Sequence, residues 1–192
     1  MAHRAGVAIT DAASAQRFER LVLPHLDSAF NVARWLTRND QDAQDVVQEA
    51  LLRAFRFSGG LRGDDGRAWL LSIVRNTFRS WYAENRKHAG ESTEFEDEEH
   101  SGRHADPVTG LTPEEHGPEA MFIRAQNQRR VHDALSLLRL EYREVIVLRE
   151  LEELSYKEIA MILDIPMGTV MSRLGRGRQQ LAALLAPAER EA

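Results

Sequence analysis

The strongest constraint on the fold of this chain is a segment near its C-terminus, SYKEIAMILDIPMGTVMSRLGRGR (155–178). Ser155 and Glu158 form a capping-box pattern, in which each side chain satisfies a backbone N–H at the start of a helix. Pro166 ends that helix because the residue before a proline is driven out of helical geometry. Proline is tolerated in the first turn of a following helix. The segment therefore predicts two helices joined by a tight turn.

The second of these helices has two different faces. Val170, Leu174 and Leu181 share an apolar stripe with Gly177. A polar stripe, here called the recognition stripe, follows the spacing i, i+3, i+4, i+7 and contains Thr169, Ser172, Arg173 and Arg176. Hydroxyl and guanidinium groups contact base edges and phosphates in a DNA major groove. The pattern favours a DNA-binding helix-turn-helix; the alternative is an amphipathic hairpin with solvated arginines.

Composition excludes several classes of protein. The chain has 192 residues and no cysteine, so it has neither disulfides nor a thiolate metal site or nucleophile. No run approaches the roughly 18 apolar residues of a membrane-spanning helix, and the first residues lack the apolar core of a signal peptide. We therefore expect a cytoplasmic protein with no direct membrane insertion.

The net charge of −5 is unevenly distributed along the chain. Residues 91–119 carry ten acidic side chains and one basic one, a charge of −9, which leaves +4 on the remainder. The same segment is rich in Gly, Ser, Thr and Pro, a composition that cannot bury enough apolar surface to order itself. The sequence therefore predicts an acidic linker, 90–118, between an N-terminal unit, 15–89, and a C-terminal unit, 119–186.

Three helices are predicted in the N-terminal unit because apolar side chains recur there at helical spacing. They cover about 15–37, a stretch from about residue 40, and about 67–85. The second helix has an apolar stripe from Ala43 to Phe55. Its other side carries an acidic stripe that includes a leucine: Asp45, Gln48, Glu49 and Leu52. This acidic stripe indicates a protein-binding surface, with a solvated face as the alternative.

The third helix carries basic and aromatic side chains on one face. This basic stripe contains Arg75, Arg79, Tyr82 and Arg86, with Asn76 beside it. Cations bind phosphates, and aromatic rings stack on unpaired bases for about 1–3 kcal/mol each. The glycine-rich loop before it, 58–66, lacks the ending of a phosphate-binding loop. The stripe is typical of nucleic-acid binding, and solvated arginines are again the alternative.

Three blocks of this sequence occur in an order typical of one family. They are DAQDVVQEALLRAF (42–55), RAWLLSIVRNTFRSWY (67–82) and YREVIVLRELEELSYKEIAMILDIPMGTVMSRLGRGR (142–178). In this order they resemble the core-polymerase-binding helix, the promoter-melting segment and the −35-reading domain of bacterial extracytoplasmic-function (ECF) sigma factors. The resemblance covers about 15–185. It implies an all-α fold of two small helical domains joined by a flexible acidic linker.

The resemblance also implies a role for each surface. The acidic stripe would bind the clamp helices of the polymerase beta-prime subunit, and the basic stripe would follow the melted DNA strand. A base flipped from the −10 element would be held by Leu61, Arg62, Trp69 and Asn76. The recognition stripe would read the −35 element of promoter DNA, while other faces of the C-terminal unit meet the beta flap. Such factors are usually controlled by an anti-sigma factor.

Several positions depart from the family pattern. Leu138-Arg139-Leu140 stands where Leu-Pro is common, Glu153 where glycine is usual, and Met171 where a basic residue is common. Gly175 and Gly177 each cost about 1 kcal/mol of helix propensity. We therefore expect the helix that carries the recognition stripe to be well ordered only when it is bound to DNA or polymerase.

Two other functions compete with this interpretation. A stand-alone helix-turn-helix repressor or activator would account for 119–185 but leaves the N-terminal helices unexplained. A metal-dependent hydrolase would use the carboxylates of 94–99 with His100 and His104, yet that segment offers no compact helical pair of ligands. We therefore expect a transcription-initiation factor that is not an enzyme and has no catalytic residue, metal or cofactor.

Overall fold

The computed structural model describes residues 12–61, 63, 65–88 and 118–186. Within these ranges the chain forms helices and no strand. The α-helices there are α1 Ala12–Leu21, α2 Leu26–Thr37, α3 Asp40–Arg56, α4 Gly66–His88, α5 Pro118–Ser136, α6 Leu140–Ile146, α7 Tyr156–Leu163 and α8 Met167–Leu185. No helix of this part of the chain combines the length and hydropathy needed to cross a bilayer.

The N-terminal helix is interrupted at Pro24. α1 ends at Leu21, a 3-10 turn covers Leu23–His25, and α2 begins at Leu26. The prediction of one helix over 15–37 is therefore wrong. Proline has no N–H for the helix ladder, and its ring clashes with the preceding turn, so the chain cannot continue as one α-helix.

α3 begins at a side-chain cap and buries one face. The Asn39 side chain accepts hydrogen bonds from the backbone N–H groups of Gln41 at 2.8 Å and Asp42 at 3.1 Å. The buried face consists of Ala43, Val46, Val47, Ala50 and Ala54. Phe55 does not join it: this ring is exposed and meets Phe18 edge to face, with centroids 5.5 Å apart. The predicted apolar stripe is thus confirmed up to Ala54.

α4 starts against the end of α1. A Cβ on Gly66 would overlap the carbonyl oxygen of Leu21, so only glycine fits this approach. The Asp65 side chain accepts a hydrogen bond from the backbone N–H of Ala68 at 3.0 Å and caps the first turn. α4 packs against α2 and α3. This bundle, α1–α4, is the N-terminal unit.

The C-terminal unit, α5–α8, contains the predicted helix-turn-helix. The Ser155 hydroxyl accepts from the Glu158 N–H at 3.2 Å, and the Ser155 N–H donates to the Glu158 carboxylate at 2.7 Å, which confirms the capping box. Asp164 takes a left-handed φ of 52° between α7 and α8. α6 ends at Ile146, where the backbone widens into a π-helical turn over Val147–Leu151.

α8 crosses α6 at a glycine. A Cβ on Gly177 would lie 3.1 Å from Ile146 Cγ1 and 3.3 Å from Tyr142 Cβ. A Cβ on Gly175 would meet only open space. α8 runs unbroken through both glycines. Close packing at Gly177 therefore offsets the loss of helix propensity that the sequence predicts.

The two units pack directly on each other. α4 contacts α7, while α2 contacts α6 and the π turn. The rings of Trp35 and His132 lie 4.9 Å apart, and the Arg38 guanidinium donates to the carbonyl of Ser136 at 3.1 Å. The predicted linker lies outside the described residues except for Pro118, which begins α5.

Candidate protein and nucleic-acid interfaces

The acidic stripe lies on the solvent side of α3. Asp45 and Gln48 are exposed, and Glu49 accepts a hydrogen bond from Arg53 Nε at 2.8 Å one turn later. Leu52 is 48% exposed, although the opposite face of the helix supplies the core. An exposed leucine among acidic and amide side chains gives this face both apolar area and negative charge, which suit a basic partner protein.

The basic stripe on α4 divides into exposed and buried members. Asn76 and Arg79 are exposed, and the half-buried Tyr82 ring packs on Phe78 with centroids 5.7 Å apart. Arg75 is only 7% exposed. The side chain of Arg86 lies outside the described part of the structure.

The predicted base pocket is brought together only in part. Trp69 is half-buried against the core near the start of α4, two helical turns before exposed Asn76. Leu61 is buried in the core, so its side chain does not line an open pocket in this conformation. Arg62 lies outside the described residues. Because Leu61 lies in a loop, the sequence predicts an accessible side chain and gives no sign that this side chain is buried.

The recognition stripe faces outward from α8. Ser172 and Arg176 are exposed, and the Ser172 hydroxyl donates to the carbonyl of Thr169 at 3.0 Å. Arg173 Nη2 lies 3.3 Å from Glu141 Oε2, so this guanidinium is paired within the C-terminal unit. Val170, Leu174 and Gly177 are buried on the opposite side, as the spacing predicts. The helix thus presents a hydroxyl and an arginine at its surface.

The start of α7 carries the clearest perturbed carboxyl group. Hydrogen bonds from the Ser155 side chain and backbone lower the pKa of Glu158, and the positive charge of Arg67 lowers it further. The capping carboxylate is therefore ionised at neutral pH, and it holds the first turn of the helix that positions α8. Because Arg67 belongs to α4, this carboxylate also lies in the field of the N-terminal unit.

Sequence reasoning missed the carboxylates at the junction of the two units. These interface carboxylates are Glu141, Glu144 and Glu152. Glu144 and Glu152 are almost fully buried and pair with arginines of α4. Glu144 precedes the apolar run Val145–Leu148, and a charged residue bordering a buried stripe is a signal for a buried ion pair.

Among the described residues, no group of three or more His, Cys, Asp or Glu side chains is arranged to hold a metal ion. The carboxylates of 94–99, His100 and His104 lie outside them. The polar groups described above are distributed over three helical surfaces and suit macromolecular partners better than a small substrate.

Each of the two helical units matches a known family model. The Sigma-70 region 2 family model matches residues 21–88. The Sigma-70, region 4 model matches residues 128–181. The first match covers α3 and α4, and the second covers the helix-turn-helix and about half of α5.

Curated relatives extend over nearly the whole chain. The RNA polymerase sigma-H factor of Pseudomonas aeruginosa is 34% identical over 178 residues, which cover 91% of this chain and 89% of that protein. The ECF RNA polymerase sigma-E factor of Haemophilus influenzae is 35% identical over 160 residues, covering 81% and 80%.

Two solved structures share the fold of this chain. The sigma factor RpoE from Bartonella quintana, in complex with the anti-sigma factor NepR, aligns with a TM-score of 0.67 and 26% identity over 88% of this chain and 97% of that one. CnrH, in complex with the cytosolic domain of CnrY, aligns with a TM-score of 0.60 and 26% identity over 90% and 94%. With both sigma regions in order and full-length relatives above 30% identity, this chain belongs to the ECF family of RNA polymerase sigma factors.

Proposed function

We propose that the protein acts in the cytoplasm as a promoter-specificity subunit that catalyses no reaction itself. It binds core RNA polymerase, recognises −35 and −10 elements and helps to melt the DNA. The observation that carries this proposal is the presence of regions 2 and 4 in one chain, each with polar side chains that its own core leaves exposed. A stand-alone helix-turn-helix regulator has no use for the exposed leucine of the acidic stripe.

Each surface has one partner in this proposal. The acidic stripe binds the beta-prime clamp helices, where exposed Leu52 supplies apolar area. Asn76, Arg79 and Tyr82 of α4 contact the separated −10 strand, with Trp69 supporting them from the core side. The recognition stripe enters the major groove at the −35 element, and the remainder of the C-terminal unit meets the beta flap.

Control by an anti-sigma factor is part of the proposal. It is supported by the two aligned structures, in each of which the aligned protein is bound to a second one: RpoE to the anti-sigma factor NepR, and CnrH to the cytosolic domain of CnrY. The predicted linker, 90–118, would thread the polymerase cleft, where its negative charge occupies space that nucleic acid otherwise uses.

The acidic stripe gives the test that separates this function from a stand-alone regulator. Changing Asp45 and Glu49 together to lysine reverses the charge of a surface that supplies no core residue. Juxtaposed like charges cost several kcal/mol at an interface, so affinity for core polymerase should fall by at least about tenfold. Fluorescence anisotropy of the labelled full chain titrated with core enzyme measures this.

The control makes the same charge change elsewhere. Glu19 and Asp133 are exposed and lie outside the acidic stripe. The Glu19→Lys/Asp133→Lys variant should bind core polymerase like the wild type, and both variants should keep the wild-type circular dichroism spectrum. Equal affinity of all three proteins would contradict the assignment of α3 as the polymerase-binding surface.

A further inference from the structure

Methionines are concentrated on the surface of the helix-turn-helix. The chain has five methionines and no cysteine. Three of the five lie between positions 161 and 171: Met161 near the end of α7, and Met167 and Met171 at the start of α8. They are 56%, 50% and 50% exposed, in that order. Because methionine is among the residues most often buried, three half-exposed neighbours form an unusual surface, here called the methionine face.

The methionine face reaches from the turn to the edge of the recognition stripe. Met161 and Met167 lie on either side of the turn between α7 and α8, and both line one shallow groove together with Ile165. Met171 follows Met167 by about one helical turn, so these two side chains lie on the same side of α8. Met171 also directly precedes Ser172 of the recognition stripe. The face therefore borders the surface that the proposed function assigns to DNA.

A thioether sulfur that solvent can reach is oxidised by peroxides. The sulfur attacks one oxygen of hydrogen peroxide, an S–O bond forms, the O–O bond breaks, and the other oxygen leaves as water with both hydrogens. Methionine loses two electrons, the peroxide gains them, and the product is methionine sulfoxide. Since the chain has no thiol, the thioethers are its only sulfur groups, and those of the methionine face are open to solvent.

Oxidation should alter partner binding more than folding. Each side chain of the face is already about half in water, so a sulfoxide oxygen remains hydrated in the free protein. In the proposed function, the start of α8 enters the major groove, where the face would approach phosphate oxygens. These oxygens are acceptors and cannot pair with another acceptor. An acceptor that leaves water without meeting a donor weakens association by at least about fivefold.

We propose that the methionine face is an oxidation site, at which a peroxide converts thioethers to sulfoxides and thereby lowers the affinity of α8 for DNA. A thiol-dependent methionine sulfoxide reductase reverses the change and restores binding. The inference rests on the proposed function only for the entry of α8 into the groove of DNA. The position and exposure of the three side chains are those of the structure.

Peroxide treatment of the full chain tests the chemistry of the site. After hydrogen peroxide has been added and then removed by gel filtration, mass spectrometry of proteolytic peptides should show one added oxygen at each residue of the methionine face. The circular dichroism spectrum should match that of the untreated protein. A resistant variant, Met161→Leu/Met167→Leu/Met171→Leu, keeps side chains of similar volume that form no sulfoxide. If it does not fold, Met167→Leu/Met171→Leu takes its place.

The effect on DNA is measured as the ratio of affinities before and after treatment of the same protein. The probe is a fluorescent pool of mixed-sequence duplexes, titrated with the full chain without polymerase at fixed salt. The wild type should lose at least about fivefold in affinity, and the resistant variant less than about twofold. Met121→Leu is the matched control, because it removes a methionine of α5, outside the face, and should respond like the wild type. Treatment of the oxidised wild type with the reductase should restore its affinity.

Three results would each overturn the proposal: no sulfoxide on the methionine face, unchanged affinity of the oxidised wild type, or an equal loss in the resistant variant. Initiation by core polymerase with the untreated protein separates this inference from the proposed function. If oxidation lowers the affinity for DNA but the untreated wild type supports no initiation, the oxidation site stands and the sigma function fails. If the untreated wild type supports initiation and its affinity does not respond to oxidation, the sigma function stands and the oxidation site fails.

Discussion

At the scale of single residues, the arginines predicted to bind DNA differ in what they already contact. Arg75 is buried against Glu144, and Arg173 pairs with Glu141. Arg176 is exposed one turn further along α8. Arg176 can therefore approach a base or a phosphate without first giving up an ion pair described here, which makes it the first candidate for base reading at the −35 element.

Replacing Arg176 by alanine should reduce promoter selectivity. A bidentate arginine–guanine contact is worth about 1–3 kcal/mol of discrimination, which corresponds to roughly 5- to 150-fold. The measurement is the ratio of reconstituted holoenzyme activity on a cognate promoter to that on one with a scrambled −35 element, at two salt concentrations. Arg178→Ala is the control, because Arg178 is held by Glu150 at 2.6 Å outside the recognition stripe and should keep its selectivity.

An equal loss on both promoters would assign Arg176 to a phosphate. Such a contact weakens all sequences alike and reduces the dependence on salt. Full selectivity in both variants would contradict the recognition stripe as the base-reading surface.

At this scale, the sequence predicts a contact well when both of its residues are close together in the chain. The Ser155–Glu158 cap was predictable because both partners lie within one helical turn. In the sequence, Glu153 only departs from the glycine that is usual at this position. The structure gives the reason why glycine suits the position, because Glu153 has a left-handed φ of 55°. A side chain in this left-handed region costs roughly 1–2 kcal/mol. The burial of Leu61 depends on distant helices and has no local signal.

At the scale of helices, the two glycines of α8 have opposite surroundings. A methyl group added at Gly175 would have no atom within 4 Å, whereas one added at Gly177 would face the buried Ile146 of α6. Alanine is favoured over glycine by about 1 kcal/mol in a helix interior. Overpacking in a well-packed core typically costs about 1–3 kcal/mol.

These magnitudes predict different outcomes for the same substitution two residues apart. Gly175→Ala should raise the free energy of unfolding by about 1 kcal/mol, the full gain in helix propensity. Gly177→Ala should lower it, because the new methyl group must displace Ile146 or Tyr142. Urea denaturation of both variants measures the difference. A stabilised Gly177→Ala protein would show that the crossing of α8 and α6 is looser than the distances indicate.

Helix positions were predicted well where one face of the helix is apolar and its capping residues are close in the sequence. α3, α4 and the helix-turn-helix all follow from spacing and capping. The error at 15–37 has a physical cause that spacing does not report, because the apolar stripe continues across Pro24 although an α-helical backbone cannot. Spacing likewise gives no sign of the π turn at Val147–Leu151.

At the scale of the whole molecule, the sequence predicted two units but not how they meet. The contacts that join them pair residues far apart in the chain, as in Arg67 with Glu152 and Arg75 with Glu144. Such pairs leave no periodic trace in the sequence. The surfaces for partners were predictable because each lies on one helix, whereas the ion pairs between the units became visible only once α4 and α6 were placed side by side.

The most direct test of the sigma function is transcription of the native genome by core polymerase with and without this protein. RNA 5′ ends mapped after a single round of initiation should include new sites that depend on the protein and share two upstream elements. The Asp45→Lys/Glu49→Lys variant should lose these sites, while Glu19→Lys/Asp133→Lys should keep them. An identical set of 5′ ends with and without the protein, despite its binding to DNA, would contradict the account and favour a stand-alone regulator.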